Sequence, residues 1–271
     1  MDSQIGAELA ICRRLVGARL RGQMQYRGSF IAQIAGNFGV NFVELIAILI
    51  LFSHFGTIGG WDVGEVAFLY GLSCTSFGIA HLLGSGFSSF STLIHQGTFD
   101  RVLVRPVGTL LQVLAADMQI RRLGEALQGV LVLGAAIGFV GIEWTVGRLV
   151  YLPIVLASAV LLYVALFAIE ATVCFWTTQA TEVLNAFTYG GSDMAQYPLH
   201  IYDGWLRGLL LFVVPIGFVI YLPSLYLLDK PDPLGLPGFV PFLAPVAALA
   251  FAMAAAALWR LGVRHYRSTG S

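Results

Sequence analysis

The chain has 271 residues, 58% of them hydrophobic and 11% charged, against about 45–50% and about 25% in an ordinary soluble domain. Basic and acidic residues number 15 each, so the formal charge is zero. This is a membrane composition, and it excludes the broad basic surface that nucleic-acid binding needs.

Residues 8–26 place Leu9, Cys12, Val16, Leu20 and Met24 at helical spacing among arginines. That pattern predicts a cytoplasmic amphipathic helix at the membrane surface, the alternative being a solvated basic tail. Arg13 and Arg14 adjoin as in a twin-arginine export signal, but Arg19, Arg21 and Arg27 precede the first long apolar run and no small-residue cleavage site follows. No cleaved leader is expected.

A spanning helix needs about 20 mainly apolar residues. Six stretches meet or approach that length: 28–55, 66–94, 126–142, 149–175, 208–228 and 239–259, the third being the shortest. The expectation is therefore an all-α integral membrane protein with six spans in a single domain covering 1–271. Between the second and third spans lies a loop over 95–120 that opens with "HQGTFDRVLVRPVG". Residues 176–206 are too polar to span and too apolar for a free loop, so short surface helices are expected there. "DKPDPLGLPGF" then forms a proline-rich turn before Pro241 and Pro245.

With six spans, thirteen of the fifteen basic residues fall on one side, leaving only Arg148 and Lys230 on the other. The positive-inside bias makes that side cytoplasmic, with both termini in it, and disfavours an odd number of spans.

Polar groups within the spans are the candidate functional residues. Gln33, Asn37, Asn41 and Glu44 are spaced four, four and three apart, which makes one stripe on the first span. A carboxylate at membrane depth costs about 2.5–3.5 kcal/mol on insertion scales, so Glu44 faces protein or water. Two readings stand for the stripe: the wall of a substrate path, or a polar contact joining helices or subunits. On the second span Cys74, Gly78, His81, Ser85, Ser88 and Thr92 form a small, weakly polar face suited to close packing. His81 and Ser85 stand one turn apart, but Leu83 occupies the first glycine position of a GxSG pattern, which sets aside an intramembrane serine protease. Glu170 is an interfacial acid or a proton relay. Gly134 and Gly138 form GxxxG, a packing signal of low specificity. Pro215 and Pro223 are expected to kink the fifth span, freeing carbonyls toward a path or simply for packing.

Cys12, Cys74 and Cys174 are far apart without CxxC or finger spacing, so neither disulfide nor metal is expected. A P-loop requires GxxxxGK[ST], yet the sole lysine, Lys230, is followed by Pro231. The chain holds no ATP in that way, and an energised role requires a separate engine. "TYGGS" at 188–192 does not match a potassium filter.

Three segments, "GTFDRVLVRPVGTLLQVLA" from Gly97, "YPLHIYDGWLRGLLLFVVPIGFVIYLPSLYLL" from Tyr197 and the ending "WRLGVRHYRSTGS", resemble the six-span subfamily of bacterial ABC-2 type permeases. The resemblance implies a type V-like fold and a transmembrane subunit of an ATP-binding-cassette exporter in the bacterial inner membrane. It is not itself an enzyme. It carries no cofactor, and ATP and Mg are bound by an ATPase dimer. A second permease subunit, identical or related, completes the complex.

The resemblance also implies an amphipathic connecting helix before the first span and a short coupling helix after the second. Phe99, Val102 and Leu103 would then pack in the ATPase groove, while Asp100, Arg101 and Arg105 fix register by charge. Pro106 would end the element. The expected substrate path lies along spans one, two and five, with Gln33, Asn37, Asn41, Glu44, His81, Ser85, Pro215 and Pro223 as its residues. Drug, antibiotic, peptide, lipid and glycan cargoes all remain open. The rival reading is a proton-coupled secondary transporter using Glu44 or Glu170.

Overall fold

A computed structural model describes residues 27–117, 119, 122–177 and 181–266. The helix expected over 8–26, and the side chains of Asn37 and Asn41, lie outside what it describes. The described residues are helical except for turns and one isolated bridge between Ile58 and Trp61. In chain order the helices are α1 (Arg27–Phe55), α2 (Val63–Ser88), α3 (Phe90–His95), α4 (Asp100–Leu103), α5 (Thr109–Ala116) and α6 (Leu123–Phe139). They continue with α7 (Val146–Val173), α8 (Thr181–Met194), α9 (Gly204–Gly208), α10 (Ile216–Val219), α11 (Tyr221–Leu227) and α12 (Ala244–His265).

By length and composition four segments can cross a membrane: Ile31–Phe55, Val63–His95, Val146–Val173 and Val240–His265. They coincide with the first, second, fourth and sixth expected spans. The third expected span, α6, is apolar but has only 17 residues, about 25 Å of helix against a hydrocarbon core of about 30 Å.

The most extensive contact joins α2 to α6. A Cβ on Gly129 would stand 2.3 Å from the Thr75 nitrogen, one on Gly78 2.5 Å from the Ala126 nitrogen, and one on Gly71 2.5 Å from the Leu133 nitrogen. Here backbone meets backbone, as small residues permit in membrane bundles. The GxxxG pair does not share in it, since a Cβ on Gly134 or Gly138 would meet nothing within 4 Å.

At one end of the bundle, α2 begins with a capping box. Asp62 accepts from the Glu65 amide at 2.9 Å and Glu65 accepts from the Asp62 amide at 2.8 Å, satisfying two amides of the first turn. Lys230 then reaches the Glu65 carboxylate at 2.5 Å and the Gly60 carbonyl at 3.2 Å. Arg148 pairs with Asp229 at 2.9 Å, and the Tyr151 hydroxyl donates to the Pro241 carbonyl. At the opposite end, Phe87, Phe90, Phe99, Phe175, Trp259 and Tyr266 pack ring on ring. We call these the Lys230 end and the Tyr266 end.

The kink expected in the fifth span over 208–228 is present: Gly204–Val213 and Ile216–Leu227 meet at 71°. Pro215 at the break has no amide to donate, and the turn before it is of π type, with the Val214 amide bonded to the Leu209 carbonyl at 2.9 Å. The bent pair as a whole begins and ends near the Lys230 end. His200, just before the first limb, contacts the Gly59 carbonyl at 2.8 Å and the Tyr221 hydroxyl at 2.9 Å, and the second limb leads directly to Asp229 and Lys230. Arg207 therefore lies at the Lys230 end, as Arg148 does.

One expectation is corrected, that for residues 176–206. In place of surface helices only, α8 packs against α2 and α7 inside the bundle. The Ser73 hydroxyl donates to the Ser192 carbonyl at 3.1 Å, and a Cβ on Gly191 would stand 2.7 Å from Ile216 Cδ1.

The α2–α6 contact predicts a contrast between glycines. Gly129→Leu should destabilise the chain by at least the ~1–3 kcal/mol of an overpacked site, whereas Gly138→Leu should stay within about 0.5 kcal/mol. Thermal unfolding of the two variants in detergent measures the difference.

Candidate functional site

Two places concentrate chemistry. The first is a cavity of about 270 Å³ midway along the bundle, walled by α1, α2, the start of α6 and α8. Glu44 comes from α1; Cys74, Phe77 and His81 from α2; Arg122 and Glu125 from the start of α6; Tyr189, Ser192, Asp193 and Gln196 from α8 and its end. His81 is 1% exposed. Its Nδ1 lies 3.7 Å from the Glu125 carboxylate and its Nε2 3.3 Å from the Tyr189 hydroxyl. Phe77 packs edge-on against both Tyr163 and Tyr189, which fixes the wall from behind. The Tyr163 hydroxyl pairs with that of Ser73 at 3.2 Å.

The expected path residues divide. Glu44 and His81 share the cavity. Gln33 is exposed on α1 and is not in its lining. Ser85 is buried, and its hydroxyl donates to the His81 carbonyl at 2.7 Å. It does not meet the His81 ring, and this geometry has no nucleophile–base pair. Pro215 stands at the 71° break and Pro223 is buried within α11; neither lines the cavity. Glu170 faces Asn185 on α8, which donates to its carboxylate at 2.6 Å when the amide nitrogen is turned toward it, away from the cavity.

Arg122, Glu125, Tyr189, Asp193 and Gln196 were missed by sequence reading. Arg122 had counted only toward the cytoplasmic positive charge and Glu125 only as the limit of the third span, and the other three fell in the stretch assigned to the surface. Among the described residues no three His, Cys, Asp or Glu side chains come close enough to hold a metal ion.

A larger cavity of about 830 Å³ lies between α1, α2 and α6. Only Asp62 and Gln128 interrupt its lining of apolar side chains and glycine. It contains none of the charge pairs and suits acyl chains rather than chemistry.

The second place is the turn over 97–108 at the Tyr266 end. Gly97 opens it in the left-handed region, φ +64°, which glycine adopts without strain. Phe99 is fully buried, its ring 5.2 Å from Phe90, 5.5 Å from Phe175 and 5.0 Å from Tyr266. From the other side Gln112 donates to the carbonyls of Val107 at 2.6 Å and Val102 at 3.1 Å. Trp259 of α12 donates to the Thr109 hydroxyl at 3.0 Å. Burial, and then the Asp100 carboxylate beside it, push the Tyr266 phenol above its ordinary pKa.

Phe99 is therefore not available to a partner's groove, contrary to expectation, because it is the ring that ties the turn to α3, to the residues after α7 and to the end of α12. Val102 is half-buried. What faces outward is Arg101, Leu103 (40% exposed), Val104 (83% exposed), Arg105 and Pro106.

A family model described as ABC-2 family transporter protein matches residues 38–270. The chain belongs to the ABC-2 transporter family. It is thus a helical transmembrane permease of the ABC transporter class, as the resemblance of its 97–115, 197–228 and C-terminal segments implied. No curated protein and no solved structure gave a significant match. The family match spans both the cavity and the exposed turn of this ABC-2 permease.

The buried ring and the exposed side chains of the turn should respond differently to truncation. Phe99→Ala should cost about 3–5 kcal/mol, while Val104→Ala should stay within about 0.5 kcal/mol, as read by thermal unfolding of the purified permease.

Proposed function

We propose that this permease is the membrane subunit of an exporter driven by ATP, with ATP and magnesium held by a separate pair of ATPase subunits. The observation that carries the reading is the 97–108 turn. A partner that drives transport must push on something rigid, and this turn is braced from within by Phe99 and Gln112. Outward it offers two arginines flanking exposed Leu103 and Val104, an apolar contact with charges to set its register.

The Tyr266 end is then cytoplasmic. Moving Arg207 to the other side leaves twelve of the thirteen basic residues first assigned there, so the positive-inside bias persists. The bent pair Gly204–Leu227 is read as re-entrant from the outside. The fifth crossing then passes to α8 and the residues leading to His200. Six crossings and two cytoplasmic termini follow, in the inner membrane of a bacterium.

The substrate path runs past the polar cavity. Glu44 lies midway along α1, and both Glu44 and Asp193 are exposed on the isolated subunit. Carboxylates at such depth cost about 2.5–3.5 kcal/mol each against lipid, so this face meets water or a second permease subunit, identical or related.

A proton-coupled secondary transporter is the second reading. It is favoured by the convergence of Glu44, Glu125 and His81 on one cavity, and it requires transport that persists without an ATPase.

The double variant Arg101→Glu, Arg105→Glu should abolish ATPase co-purification or transport while membrane insertion stays normal. Undiminished transport by that variant, or transport by the permease alone along a pH gradient, would sink the exporter reading.

A further inference from the structure

The polar cavity is charged out of balance. Among the described residues Glu44, Glu125 and Asp193 bring three carboxylates to it and Arg122 brings one guanidinium, so their sum is net negative whether His81 is neutral or protonated. Among the described residues neither the Glu44 nor the Asp193 carboxylate has a hydrogen-bond or ion-pair partner. Negative charge in surroundings of low dielectric attracts a cation far more strongly than it would in water.

A second observation is independent of charge. Gln196, only 7% exposed, lines the cavity, and its side-chain amide makes no hydrogen bond to the described residues. A buried amide left unbonded is costly, and native proteins ordinarily satisfy it. Whatever occupies the cavity must therefore offer it a polar partner. Phe77 and Tyr189, with ring centroids 5.4 Å apart, supply aromatic surface of the kind that attracts alkylated ammonium groups. Among the described residues no three acidic or imidazole groups gather closely enough for a metal ion, and the 270 Å³ of the cavity has room for a larger cation.

We infer that this cavity is a binding site for an organic cation, the protonated or quaternary amine of a transported molecule. Glu125 and Asp193 pair with its charge, Gln196 bonds an adjoining polar group, and Phe77 and Tyr189 pack on its alkyl substituents. That the cation is cargo rests on the exporter reading; that the cavity takes a cation does not.

The test is equilibrium binding of radiolabelled benzyltrimethylammonium to the full chain in lipid nanodiscs, together with whatever ATPase subunits co-purify. Binding should be saturable and displaced by the unlabelled cation. Phenylacetate, which carries the same benzyl group with opposite charge, should not displace it. Asp193→Asn should weaken binding about tenfold or more, and Glu125→Gln similarly, while Glu143→Gln outside the cavity should not change it. Because the Asp193 carboxylate has no partner among the described residues, Asp193→Asn should leave thermal unfolding unchanged, which separates lost affinity from misfolding.

The inference is overturned by absence of saturable binding, by unchanged affinity in Asp193→Asn, or by equal displacement with phenylacetate. Cation binding in a chain to which no ATPase attaches would sink the exporter reading and leave the site standing. ATPase attachment with binding indifferent to charge would do the reverse.

Discussion

The contact of α2 with α6 is the constraint on which the rest of the bundle depends. Gly71, Gly78 and Gly129 let the two backbones touch, and nothing larger than hydrogen fits at those points. Their positions also fix chemistry. Because Gly78 rests on Ala126, Glu125 arrives beside His81 one turn away, at 3.7 Å. A different rotation of α6 would turn Glu125 toward lipid, where an isolated carboxylate is costly. Close packing and placement of the charge are thus two consequences of one interface.

The two ends of the bundle are held by different forces, in keeping with their surroundings. At the Tyr266 end a knot of six aromatic rings joins α2, α3, the 97–108 turn, the residues after α7 and α12. Rings packed edge to face resist shear, and bistable packed contacts transmit small displacements rather than absorbing them. At the Lys230 end the ties are polar: Lys230 to Glu65, Arg148 to Asp229, His200 between Gly59 and Tyr221. These couple the bent pair Gly204–Leu227 to the loop between α1 and α2, and ionic ties near water are weaker than a packed core. The turn at the Tyr266 end is thus held by packed rings, and the bent pair at the Lys230 end by polar ties.

Between the ends lies the cavity, and its residues come from four separate parts of the chain. Residues 44, 81, 125 and 193 are each more than 35 positions from the next. Only the helical packing brings them to one space. The cavity lies against α1, whose long apolar window is just 6% buried in the single subunit. With carboxylates on that side, the face is better suited to water or a further subunit than to lipid.

The sequence by itself determined the membrane class, the helical content, four of the long spans, the lack of a P-loop and the family. Each of these depends on local composition: runs of apolar residues, charges at their limits, short motifs read in order. It also marked Glu44 and His81, since a charge or imidazole within an apolar run stands out wherever it points. Only the tertiary structure decided that Glu125, Asp193 and Gln196 join them, that Phe99 turns inward, and that α8 enters the bundle. Those outcomes depend on helix rotation and on which backbones can touch. Both are set by contacts between residues distant in the chain, which hydropathy along one dimension does not encode.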